Sequence, residues 1–358
     1  MRTEPAPTTL AIDIGATHTR LAVVRGGTIG VRSMSPTAAL IGSDGSVVDA
    51  LVAAALDLAR DAGGPAPQAV GIGLAAFVDA TGCVLQAREF GIPRGSAVRD
   101  ALTDAFGVPV AVDNDANLAA LAEGRLGVAA GLGTVAVITL GTNIGLGLLV
   151  EGRILRGAHG AAGEAGLLLV PARDVAEATD GQGRIVDAGR LGRACSSAPA
   201  GYAHIEELVG GGALAAAAAD GGAPDETATR APADVPAGAS RVPSRVLTRD
   251  AVRGPVTDRL ADRALEGWAL LIANLCALLD PELVVLTGGL AEDAAHLLPS
   301  LRRRVAELAP LPAEIRIGSV GPDAELLGAD LSARSALVER AVGHARAGLS
   351  AQSRGGDR

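Results

Sequence analysis

Leu10 to Val24, "LAIDIGATHTRLAVV", is an apolar run interrupted at its middle by Asp13, Gly15, Thr17, His18 and Thr19. Apolar residues flank the polar turn on both sides, so the stretch reads as a β-hairpin whose tip carries polar groups for a purpose. Asp13 stands where the first strand ends. Gly15 lets the turn take unusual dihedrals, and Thr17 and Thr19 offer hydroxyls to an anion approaching the backbone.

Working outward, strands are expected near Leu10–Ile14, Arg20–Val24, Ile29–Ser33, Ala69–Leu74, Cys83–Ala87 and Val108–Val112, with helices near Val48–Asp61 and Ala97–Phe106. A helix from about Asn114 leads to strands Val135–Leu140 and Ile144–Val150, then to a helix Val256–Leu279, a strand Leu283–Thr287 and a helix Asp293–Ala309. This is α/β patterning in which a hairpin, strand and helix theme occurs twice. A chain of 358 residues suits two domains, each able to bury its own core. The Ala-, Pro- and Gly-rich stretch from Ala215 to Pro243 reads as a surface loop, and the tail "SAQSRGGDR" as disordered.

Composition narrows the function. Hydrophobic residues make up 49% of the chain but aromatics only 1%, which argues against ligand stacking on rings. The net charge of −9 has no basic run to offset it, so no nucleic-acid partner is expected. All 31 cationic side chains are arginine, and the absence of lysine excludes Walker-type phosphate binding and Schiff-base chemistry. Cys83, Cys195 and Cys276 have no paired spacing and fit a reducing, cytoplasmic setting. The start "MRTEPAPTT" shows no export signal, and the charge-free run Leu126 to Val150 reads as strand, turn, strand, with no membrane partner expected.

Three further motifs share the polar-turn character. "TLGTNIGLG" sets Gly141, Thr142, Gly145 and Gly147 between two strands, a second Gly/Thr tip with free amides. Two such loops, one per half of the chain, can hold opposite sides of a polyphosphate. In "VAVDNDANLAAL" a strand runs into a helix, gathering Asp113, Asn114, Asp115 and Asn117, more polar groups than a helix cap needs. "LVVLTGGLAED" ends a buried strand in Gly288 and Gly289, which let a flat ligand or a phosphate lie against backbone.

In this order and spacing, from about Leu10 to Leu337, the set resembles the ROK family of the actin and hexokinase superfamily. "DIGATH" stands for the family's D-I-G-G-T-K, Asn114 to Asn117 for its N-D-A-N, "GTNIGLG" for G-T-G-I-G-G-G, "GEAGL" for G-E-I-G-H and "TGG" for G-G-G. The resemblance implies two actin/hexokinase-like, ribonuclease H-like lobes with a cleft between them. The N-terminal lobe is residues 1–117, with a helix at about 334–350 packing back on it; the C-terminal lobe is 118–333, containing the loop at about 215–245. It implies a cytoplasmic, homodimeric, glucokinase-like ATP-dependent kinase acting on a hexose or N-acetyl amino sugar with Mg²⁺.

On that resemblance Asp115 is the general base, and Asn114, Glu164 and Glu206 contact sugar hydroxyls. Asp13, Gly15, Thr17, Thr19, Gly141, Thr142 and Gly145 cradle phosphates, Asp13 holding Mg²⁺ through water, and Gly288 and Gly289 face the nucleotide. The chain departs from the family at "GLAAFVD", Gly73 to Asp79, where a glycine-proline-glycine turn is common, and at Asn143 and Leu146, which replace glycines of the second phosphate loop. Those replacements are expected to crowd the phosphates, which keeps a catalytically weak sugar-binding relative as the alternative. A transcriptional regulator needs a winged helix-turn-helix before the first phosphate motif, where about nine residues stand. The family's structural zinc, held by one histidine and three cysteines, is not expected, because the corresponding positions are Leu167, Ser197, Pro199 and His204, with Cys195 two residues too early.

Overall fold

A computed structural model describes residues 6–42, 46–87, 92–171, 202–220, 247–248 and 254–355. The chain divides into two compact units. The first comprises Met1–Leu118, Arg156–Ala161 and Asp323–Arg358, and the second Ala119–Leu155 and Ala162–Pro322.

The first unit begins with β1 (Thr8–Ile14), β2 (His18–Arg25) and β3 (Thr28–Pro36), followed by α1 (Val48–Asp61), β4 (Ala69–Leu74), β5 (Ala76–Val78), β6 (Val84–Ala87), α2 (Ala97–Phe106) and β7 (Val110–Asn114). Its main sheet has the order β3-β2-β1-β4-β7, with β2 antiparallel to both neighbours and β4 parallel to β1 and β7. Alternation along β1 sets the two faces. Leu10, Ile12 and Ile14 join Leu51 and Leu58 of α1 and Leu102 of α2 in one core. Ala11 faces the other way, and small residues there let a helix come close: a Cβ on Gly71 would lie 1.9 Å from the Ala329 carbonyl oxygen. That helix is α9 (Ala324–Gly355), the last of the chain, which belongs to the first unit. It is pinned by buried Asp330, which accepts from the Thr9 hydroxyl and the Arg334 guanidinium.

The second unit takes up the chain within α3 (Asp115–Leu126) and continues through β8 (Val135–Leu140), β9 (Ile144–Val150), β10 (Arg153–Ile154), β11 (Leu169–Pro171) and β12 (Tyr202–His204). There follow α4 (Ile205–Val209), α5 (Gly211–Asp220), α6 (Pro255–Leu279), β13 (Leu283–Thr287), α7 (Gly289–Asp293), α8 (Leu298–Leu308) and β14 (Glu314–Ile317). Its sheet, β10-β9-β8-β13-β14, repeats the order and strand directions of the first. Ile138, Leu140, Leu146, Leu148 and Leu286 meet Trp268 and Ile272 of α6 on one face; Val135, Val137, Leu149 and Val285 meet Ala120 of α3 on the other. Each large side chain so buried contributes roughly 1.5–3 kcal/mol of transfer free energy.

The charge-free run Leu126 to Val150 holds the β8–β9 hairpin, and no helix among the described residues is long and apolar enough to cross a membrane. Three expectations need correction. The helix expected over Asp293–Ala309 begins only at Leu298: Asp293 ends the short α7, a 3₁₀ turn covers Ala295–Leu297, and Pro299, which cannot continue a helix from the preceding turn, sits in the first turn of α8. The Ala215 stretch begins as helix, since α5 carries its alanine run to Asp220; residues 221–246 lie outside the described set. The tail is helical through Gly355 as the end of α9.

Candidate active site

In the first unit the strand register places the motifs side by side. Asp13 pairs with Arg20 on β2 and with Gly73 on β4, and Gly73 pairs with Asp113 on β7. A Cβ built on Gly73 would lie 3.6 Å from Asp13 Oδ1 and 3.7 Å from the Cα of Asp115. The Leu118 Cδ1 closes that position at 2.9 Å, so Gly73 lets the Leu118 side chain pack between Asp13 and the backbone of Asp115, residues 102 positions apart in the chain (13 to 115).

Asp13 is buried and accepts from Nε (2.9 Å) and Nη2 (2.7 Å) of Arg20, both on Oδ2. Arg20 also donates to Glu325 at 2.9 Å. Burial pushes the Asp13 carboxyl up to about 6, against the opposing pull of Arg20 and with the help of the Glu325 charge. With both acids ionised the trio carries one net negative charge, a donor set that fits a hydrated divalent cation. The hairpin tip is braced by Thr37, whose hydroxyl donates to the Gly15 carbonyl (2.7 Å) and whose amide donates to the Thr17 carbonyl (2.9 Å). Thr19 is fully buried with its hydroxyl 3.1 Å from that of Thr37, so it shapes the hairpin from inside.

The Asn114 side chain caps α3: its Oδ1 accepts from the amides of Ala116 (2.9 Å) and Asn117 (3.2 Å), and its Nδ2 donates to the Ala76 carbonyl (3.2 Å). Asp115 opens the helix, and its Oδ1 accepts from the Ala116 amide at 2.8 Å. Asp113, behind them, is almost fully buried.

The second unit assembles the other motifs. Gly141, Thr142 and Asn143 form the exposed tip of the β8–β9 hairpin, and the Gly141 amide donates to the Asn143 carbonyl (3.1 Å). Gly145 pairs with Thr139 just inside it. The tip is docked on the start of α5, where the amides of Gly211 and Gly212 donate to the carbonyls of Gly141 and Thr142, each at 2.9 Å. A Cβ on Gly211 would meet the Gly141 oxygen at 2.3 Å, and one on Gly288 (φ 92°) would meet the Leu140 oxygen at 2.6 Å, so only glycine permits either approach. Beside Gly288, the side-chain position of Gly289 faces open space. Leu146 does not crowd the loop: it is buried in the core, on the face of β9 shared with Ile144 and Leu148.

Glu164 precedes a 3₁₀ turn, Ala165–Leu167, and the Glu206 carboxylate lies against that turn, its Oε2 2.4 Å from where a Gly166 Cβ would be. The motifs "GEAGL" and "HIEEL" are thereby brought together on one unit. Sequence reasoning missed Arg20 as the partner of Asp13, Gly73 as the strand neighbour of Asp13 and Asp113, and Gly211 and Gly212 as the seat of the hairpin. The run "VGGGAL" carried a signal for the last, since three glycines ahead of an alanine-rich helix have no role in a helix interior.

Twin sheets of this order, each with a polar hairpin, define an actin/hexokinase-like fold. The ROK family model matches residues 9–334, and the chain belongs to the ROK family. It is 30% identical over 333 residues to a bifunctional enzyme NanE/NanK of Brucella suis, covering 92% of this chain and 54% of that one, so the chain spans about half the length of this relative. It is 31% identical over 268 residues to a glucokinase of Halalkalibacterium halodurans, covering 72% and 74% of the two chains. The crystal structure of a ROK family glucokinase from Streptomyces griseus, in complex with glucose and AMPPNP, superposes with a TM-score of 0.69 at 27% identity, covering 92% of this chain and 99% of that one.

Proposed function

We propose that this protein transfers the γ-phosphoryl group of ATP to a hydroxyl of a hexose or N-acetyl amino sugar. The observation that carries the reading is the strand register that sets Asp13, Gly73 and Asp113 side by side, with Asp115 opening the helix that follows β7. In this reaction the sugar oxygen forms a bond to the γ-phosphorus, the bond from that phosphorus to the bridging oxygen of ADP breaks, and the hydroxyl proton passes to Asp115. A carboxylate suits that role, because phosphoryl transfer asks mainly for positioning and charge neutralisation, and a positioned base adds about 10²–10⁴-fold. Glu164 and Glu206 accept from sugar hydroxyls; the Thr17 and Thr142 hydroxyls donate to phosphate oxygens, while the Gly15 and Gly141 amides, which donate to the His18 and Asn143 carbonyls (each 3.1 Å), hold the two hairpin tips in shape. Bound Mg²⁺, held through water by Asp13, supplies neutralisation of the phosphate charge. The named activities of the relatives support this class of acceptor, and the core placement of Leu146 removes one argument for an inactive, merely sugar-binding protein.

The experiment is a coupled assay of ADP release with Mg²⁺ across a panel of hexoses and N-acetyl amino sugars, with the product identified by mass. Sugar-dependent ADP release with a matching sugar phosphate is expected. Calorimetric sugar binding without any sugar-dependent ADP release would sink the kinase reading in favour of a binding protein.

A further inference from the structure

The segment Arg156–Ala161 interrupts the second unit's sequence yet belongs to the first. It contains no regular secondary structure, and Gly157, Ala158, His159 and Ala161 are exposed, so apolar burial does not hold it there. An ion pair at one end and a close backbone approach at the other do. Nε of Arg156 donates to Asp113 Oδ2 at 3.1 Å and Nη2 donates to the same oxygen. At the other end, Gly160 (φ 67°) runs so close to β5 that a Cβ on it would lie 2.2 Å from the Val78 carbonyl oxygen.

The Asp113 side chain is 3% exposed and that of Arg156 37%, so the carboxylate is the desolvated partner and the guanidinium reaches it from a half-exposed position. Its second oxygen faces the other way: Oδ1 accepts from Asn117 Nδ2 (2.9 Å) and from the Asn114 amide (2.9 Å). One buried carboxylate thus grips, through Arg156, the segment that ends three residues before Glu164 and, through Oδ1, the turn that presents Asn114 and Asp115.

We propose that Arg156 is a positioning residue for the acceptor sugar: with Asp113 it forms a latch that fixes the Arg156–Ala161 segment and the Asn114–Asp115 turn in one register. The proposal rests on the kinase reading for its kinetic consequence, but not for its structural one. Arg156 touches no reacting atom; it acts by holding the residues that do, and displacing such residues by about an ångström costs up to about a hundredfold in rate.

The test compares the full-length protein with Arg156→Gln and Arg156→Lys by amide hydrogen exchange and by kinetics. In Arg156→Gln the amides of residues 156–161 and of Asn114 are expected to exchange at least about tenfold faster, while those of β8 and β9 are unchanged. The sugar KM is expected to rise about tenfold and the Mg–ATP KM to stay within about twofold. Arg156→Lys keeps the charge but loses the planar pair of donors and is expected to fall between the two; it carries the test should Arg156→Gln fail to fold. Wild-type exchange in both variants across 156–161 overturns the latch. Equal rises in both KM values, or a lowered thermal midpoint with unchanged KM values, reduce Arg156 to a structural role and overturn the positioning assignment. Should the wild-type protein show no sugar-dependent turnover, the kinase reading fails, and the exchange data still decide the latch.

Discussion

Asp13 owes its chemistry to its surroundings. A carboxyl held at about 6 takes up its proton as the pH falls through that value, and the protonated form has no charge with which to hold a hydrated cation. The sign for stability is the opposite: the folded protein binds this proton more readily than the unfolded chain, so the stabilisation from protonated Asp13 is full below the ordinary value of 3.8 and is lost as pH rises through about 6. For function the expected outcome is an acid limb in kcat/KM for Mg–ATP with a midpoint near 6. A profile flat down to about pH 5 would show that the Asp13 charge is not used. Asp115 makes a different prediction. Asp115→Asn keeps the shape of the first turn of α3 and the acceptor oxygen for the Ala116 amide but has no basicity. It is expected to leave sugar affinity near wild type and to lower kcat by at least about a hundredfold, measured by calorimetry and steady-state rates; near-normal turnover would make Asp115 a helix-opening residue only.

At the scale of elements, the strands and most helices were legible because their signals are local. Alternation gave β1, β8 and β9, and the 3.6-residue period gave α1 and α2. The division of α7 from α8 was missed although Pro299 marks it, because the apolar period runs on across the break. The seating of the β8–β9 hairpin on α5 was illegible for another reason: its hydrogen bonds join Gly141 and Thr142 to Gly211 and Gly212, about 70 residues away, through backbone groups that every sequence has. This joint is open to a direct test. Gly211→Ala places a methyl group 2.3 Å from the Gly141 oxygen, and either the hairpin or the helix must move. The Mg–ATP KM is expected to rise about tenfold with the sugar KM within about twofold. Equal effects on both substrates, or none, would separate the hairpin from nucleotide binding.

Across the whole molecule, the repeated sheet order was foreshadowed by the repeated hairpin, strand and helix theme, while the pairing of distant residues was not. Nothing near Arg156 in the sequence names Asp113, and nothing near Gly73 says that it lies between Asp13 and Asp113 in the sheet. Metal content is a further whole-molecule property. The family resemblance implies a zinc that orders the segment following "GEAGL"; here the described residues at either end of that segment pair with one another. Strands β11 and β12 pair antiparallel, Leu169 opposite His204 and Pro171 opposite Tyr202, and the Ile205 amide donates to the Leu168 carbonyl at 2.9 Å. Ala203 and Ile205 are buried beside this ladder, and Leu167 is half-buried where the family's histidine would stand. His204 is buried with its Nδ1 3.6 Å from the Glu207 carboxylate, which also accepts from the His204 amide (3.2 Å). Among the described residues no group of three His, Cys, Asp or Glu side chains is placed to hold a metal; Cys195, Ser197 and Pro199 lie outside them. A structural zinc requires four ligands, and backbone pairing with apolar packing performs the same closure. The purified protein is therefore expected to contain no stoichiometric zinc, and its thermal midpoint to be unmoved by a zinc-selective chelator in excess Mg²⁺. Elemental analysis giving about one zinc per chain, together with a midpoint that drops on chelation, would show that His204 and Cys195 are joined by other ligands and that the closure is metal-dependent after all.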